Sequence, residues 1–117
     1  MSADGREHFE ELVRDALDSL PEWVRERMVN VEVIVEDRPP RSEPNMLGLY
    51  HGIPLIKRGE FRSGPMLPDT ITLYRRTIER VSRNDDELRQ VVAHTIEHEV
   101  AHFFGISDDR LREIDRY

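Results

Sequence analysis

The chain contains no cysteine, so neither a disulfide nor a thiolate ligand is available, and any metal site has to be built from His, Asp and Glu. That absence also fits a reducing compartment. No apolar run approaches the roughly 20 residues that a membrane helix needs, and the stretch Met1 to Glu7 has neither the basic start nor the apolar centre of a secretory signal. Cytoplasmic residence without membrane association is therefore the expectation. Internal repeats, heptads and low-complexity tracts are missing too, which excludes solenoids and coiled coils. Basic residues are outnumbered, 17 against 24 acidic ones, and the resulting net charge of −7 disfavours a general nucleic-acid binder. At 117 residues, 1–117 reads as a single domain with room for one core but not for two substantial lobes.

What the chain does contain is concentrated near its C-terminal end. His98-Glu99-Val100-Ala101-His102 places two imidazoles four residues apart with a glutamate beside the first. On a helix, positions four apart differ by about 40° around the axis, so both rings reach one ion. Glu99 then falls beside the open coordination position, where a carboxylate takes the proton from an attacking water and passes it to a leaving group. A catalytic zinc site has three protein ligands, so a third must come from elsewhere. Gly105 stands three residues after His102, where a left-handed glycine commonly ends a helix and turns the chain. Such a turn brings Asp108 back beneath the metal as the third ligand, with the adjacent Asp109 as the alternative. One zinc ion per chain is the expected cofactor.

Along the chain, Phe9, Leu12, Val13, Ala16, Leu17 and Leu20 follow helical spacing and predict an amphipathic helix over Asp4–Ser19. Pro21 opens a short helical stretch, Glu22–Met28, with Trp23 available to pack. Val31, Val33 and Val35 alternate through a strand over Asn30–Glu36, and Ile34 implies partial cover of its second face. Arg38–Pro44 is a proline-rich loop. Leu47–Tyr50 and Ile53–Ile56 read as two short strands around a turn at His51-Gly52, followed by a surface loop over Lys57–Pro68. Asp69–Arg75 carries Ile71, Leu73 and Tyr74 in a strand pattern. Asn84 with Glu87 supplies the start of the long helix, on which an apolar arc faces the sheet while His94, His98 and His102 stack along a flank. A short tail, Ser107–Tyr117, makes one or two helical turns.

This order of elements, the extended pattern His98, Glu99, His102, Gly105, Asp108, and the phrases Gly48–Leu55, Leu67–Arg75 and Val100–Ile106 resemble the small bacterial zincin-like metallopeptidases. The resemblance covers nearly the whole chain. It implies an α+β fold of minimal zincin type, with a small mixed sheet packed on an N-terminal helix and a long active-site helix. It also implies that His98, His102 and Asp108 are the metal ligands and Glu99 the general base in peptide hydrolysis, with a peptide or protein substrate lying extended along Ile71–Tyr74. Larger relatives of this kind complete the cleft with a second lobe and a methionine turn after the zinc helix. Here nine residues follow Asp108 and none is Met, so a protein partner or second copy is expected to complete the cleft.

Other residues are candidates for the same neighbourhood. His94 is a candidate fourth ligand or a neighbour of the ligands, Tyr50 and Tyr74 are candidates to steady an oxyanion, and His8 and His51 read as solvated. Lys57 to Arg83 holds seven basic and three acidic residues, a local excess that keeps a small zinc endoribonuclease as an alternative. A zinc-stabilised module that binds a peptide or protein without turnover is the other.

Overall fold

A computed structural model describes residues 3–54 and 68–115. The elements run α1 (Ala3–Asp18), α2 (Glu22–Arg27), β1 (Val31–Glu36), β2 (Gly48–His51), β3 (Asp69–Tyr74), α3 (Arg75–Arg80), α4 (Asp85–Phe104) and α5 (Asp108–Asp115). This is the α+β arrangement the resemblance implies, with a small mixed sheet and two principal helices.

The apolar stripe of α1 becomes core, because Phe9, Leu12 and Val13 meet Val92, Ile96 and Val100 of α4 and Ile71 and Leu73 of β3. β3 alternates as its sequence suggests, with Ile71 and Leu73 inward and Thr70 and Thr72 half-buried. Ile34 is half-buried, the partial cover its side chain implied. Arg6 of α1 ties the helix to the sheet by donating to the Val35 carbonyl at 2.8 Å and to Asp37 at 3.0 Å.

Sheet order rules out the substrate path expected along Ile71–Tyr74. The strands lie β1-β3-β2, with β3 parallel to β1 and antiparallel to β2. Both flanks of β3 are therefore paired, and a peptide cannot add along Ile71–Tyr74. The strand beside the long helix is β2, which packs on α4.

Two local readings also change. Arg75–Arg80 forms α3, an element the sequence pattern did not suggest. Its first residue, Arg75, is buried and held by Asp37 and Glu79, each at 3.2 Å. Ile53 and Pro54 are not in a strand, while residues 55–67, which include half of the expected second strand and nearly all of the expected surface loop, lie outside the described residues. Trp23 packs as expected, its ring edge-to-face with that of Phe104, while remaining 61% exposed. No helix among the described residues is long and apolar enough to cross a membrane.

Candidate metal centre

The long helix begins where its capping residues place it. The Asn84 side chain accepts the Glu87 backbone N–H at 2.9 Å, and three acidic residues follow in the first turn, where the helix dipole favours them. Val92, Thr95, Ile96, Glu99, Val100 and Phe103 form the buried face. His98 and His102 lie on the flank of that face, their rings 4.8 Å apart.

Gly105 ends the helix in the left-handed region, at φ 96°. The Gly105 N–H bonds the His102 carbonyl and the Ile106 N–H bonds the Ala101 carbonyl, both at 2.9 Å. This bond pair turns the chain back while satisfying the last carbonyls of the helix. Ser107 then caps α5, its hydroxyl accepting the Arg110 N–H, and Asp108 becomes the first residue of that helix. The outcome is a convergence of side chains: Asp108 Oδ1 lies 2.9 Å from His98 Nε2 and 3.0 Å from His102 Nε2. Asp109, the alternative carboxylate, is 88% exposed and pairs with Arg112.

Whether these atoms suit an ion can be read from their separations. Zinc bonds of about 2.0–2.2 Å in tetrahedral geometry put neighbouring ligand atoms roughly 3.3–3.5 Å apart. The two observed N···O distances are a few tenths of an ångström shorter, an opening that small side-chain rotations supply. Two imidazoles and one carboxylate are also a donor set that zinc accepts. The residues present thus fit the ion.

Glu99 stands close by, since one donor atom from each of His98, Glu99 and His102 falls within 4.8 Å of the others. It is only 8% exposed, and its Oε1 accepts the backbone N–H of Tyr50 in β2 at 2.9 Å. Burial pushes the Glu99 carboxyl above the ordinary glutamate range, against the opposing pull of His102, His98 and the Tyr50 N–H. For Asp108 the balance is reversed. Burial works to raise it, yet the hydrogen bond from His98 and the charges of His102 and His98 prevail and hold the carboxyl below its usual range. The two carboxylates beside the histidines are thereby made chemically unlike, the buried one the better proton acceptor.

The remaining candidates differ in their surroundings. His94 is exposed, its ring 6.4 Å from that of His98, and it lines a cavity of about 300 Å³ together with His98, Glu99, Leu47, Gly48 and Thr95. Like Asp108, it lies outside the group formed by His98, Glu99 and His102. Tyr74 is buried in the core, and the Tyr50 hydroxyl donates to Asp69 at 2.7 Å. His51 is exposed, whereas His8 lies 2.6 Å from Asp85 rather than standing in solvent alone. Of the basic residues counted after Lys57, Arg75 is held by Asp37 and Glu79, Arg80 reaches the Pro44 carbonyl and Asn45, and Arg83 pairs with Glu87. The contribution that sequence reasoning missed is the Tyr50 backbone N–H, whose one outward sign is the glycine two residues before it.

A family model described as zincin-like metallopeptidase matches residues 28–117. Among solved structures, a conserved hypothetical protein from T. thermophilus is similar, with a TM-score of 0.59 and 26% identity over 83% of this chain and 91% of that one. No curated protein matches the chain.

Proposed function

Because this chain belongs to the zincin-like metallopeptidase family, we propose that it is a zinc-dependent peptidase in which His98, His102 and Asp108 hold one ion and Glu99 moves the proton. When bound, zinc supplies Lewis acidity, polarising a carbonyl and making water a nucleophile near neutral pH. Everything else falls to the protein. His98 and His102 present imidazole nitrogens from successive turns of one helix. Asp108 adds one negative charge, so the loaded site keeps net positive charge for an electron-rich carbonyl. Glu99, whose burial raises its proton affinity, takes a proton from the attacking water and gives it to the departing amine. A peptide approaches beside β2, the strand next to Glu99.

The observation that carries this reading is the convergence of His98 and His102 on one oxygen of Asp108, with a buried glutamate on the same helix. The endoribonuclease alternative draws no support from Arg75, Arg80 and Arg83, which already have partners.

Glu99→Gln tests the proposal, since it keeps size and polarity but removes the basic carboxylate. Wild type loaded with zinc should cleave members of a panel of short peptides and unstructured proteins. The variant should keep its zinc and fold yet lose about 10²- to 10⁴-fold in turnover, the usual contribution of a general base. Cleavage of single-stranded RNA alone would replace the proposal with the nuclease. No turnover by a fully metallated wild type would replace it with the zinc-stabilised binding module.

A further inference from the structure

β2 lies unusually close to the long helix, and the closeness has a residue-level cause. A Cβ at Gly48 would stand 2.8 Å from Thr95 Cγ2 and 3.3 Å from Glu99 Cγ, so only glycine permits the approach. Antiparallel pairing then decides which backbone groups face the helix. The Tyr74 N–H bonds the Leu47 carbonyl at 2.9 Å, and with Leu49 opposite Thr72 and Tyr50 opposite Ile71, alternation turns Leu47, Leu49 and His51 toward β3. Gly48 and Tyr50 turn the other way. The Tyr50 N–H meets Glu99 Oε1 at 2.9 Å.

Tyr50 is itself fixed at two further points. Its hydroxyl donates to Asp69 Oδ2 at 2.7 Å, and Asp69 is buried at the start of β3. Its ring stands edge-on to that of Phe103, with centroids 6.0 Å apart. Phe103 belongs to the same helix as Glu99, so strand and helix hold each other on either side of the carboxylate.

We propose that Tyr50 is the positioning residue for Glu99: its backbone N–H, locked in place by the Asp69–hydroxyl bond, captures Oε1 and leaves Oε2 as the oxygen that handles the proton. The inference rests on the role given above to Glu99. A carboxylate held at one oxygen has a single orientation, whereas a free glutamate samples several rotamers. Misplacing a reacting group by about 1 Å can cost about 10²-fold in rate, so partial release of Glu99 should cost kcat about tenfold without changing KM.

Backbone hydrogen exchange on the full chain, with and without zinc, tests this without a substrate. Glu99→Asp is one methylene too short to span to β2. The Tyr50 amide should then exchange at least about tenfold faster, while those of Leu49 and His51, bonded to β3, keep their rates. An unchanged rate at Tyr50, or an equal rise at all three, overturns the positioning role. Tyr50→Phe supplies the second test, since it keeps the N–H and removes the Asp69 clamp. Faster exchange of the amide at position 50, unchanged zinc stoichiometry and a lower kcat at constant KM support the clamp. Wild-type exchange together with wild-type kcat would overturn it. Wild type that turns over no peptide would instead sink the peptidase reading, whatever the Tyr50 amide does.

Discussion

Two imidazole nitrogens directed at one oxygen of Asp108 are the strongest residue-level sign of a metal site. The assignment has direct consequences for binding. His98→Ala or His102→Ala should abolish uptake of zinc, because each removes one of the two imidazole donors that the long helix holds side by side. Asp108→Ala should weaken affinity less completely, since water fills the position, but by more than the roughly 10- to 100-fold that loss of an outer hydrogen-bond partner costs a metal site. Asp109→Ala, removing an exposed carboxylate turned to Arg112, should leave affinity unchanged. Chelator competition measures all four, and equal affinity for Asp108→Ala and wild type would move the third ligand elsewhere. The convergence of His98, His102 and Asp108 was legible in the sequence, because it follows from a four-residue helical spacing and a glycine turn. The Tyr50 N–H was not, because a backbone donor has no residue type to announce it.

At the scale of elements, local chemistry and long-range packing differ in how far they can be read. The ends of α4 follow from Asn84 and Gly105, whose capping roles depend only on near neighbours. The short α3 has no such signal, as Tyr74 at its N-cap makes no side-chain cap. It forms because Arg75 finds Asp37 and Glu79 and because Ile78 enters the core, partners that spacing along the chain does not reveal. The central place of β3 depends in the same way on its parallel pairing with β1, across more than thirty intervening residues. Gly105 joins the two scales, since its left-handed turn aims Asp108. Gly105→Ala should cost about 1–2 kcal/mol of stability, the penalty of the left-handed region for a residue with a Cβ, and should also lower zinc affinity. Urea unfolding and zinc titration of the variant measure the two effects. Loss of stability with wild-type affinity would separate the turn from the site.

Over the whole molecule, the sheet and α1 hold α4 still, while β2 and α5 come to its two flanks with the Tyr50 N–H and Asp108. Asp37 links three parts of this framework, receiving Arg6 from α1 and Arg75 from α3 just after β1 ends. Arg75 is drawn into the structure by such a partner, whereas Arg83, 86% exposed, pairs with Glu87 at the surface. The central claim is that this framework presents His98, His102 and Asp108 to a single zinc ion. An anomalous difference map at the zinc edge, from crystals of wild-type protein grown with zinc, tests it most directly. One peak per chain is expected, bounded by His98 Nε2, His102 Nε2 and an Asp108 carboxylate oxygen, with Glu99 beside it but not bonded to it. A map with no peak there, or with Glu99 in place of Asp108 as the third ligand, would contradict it.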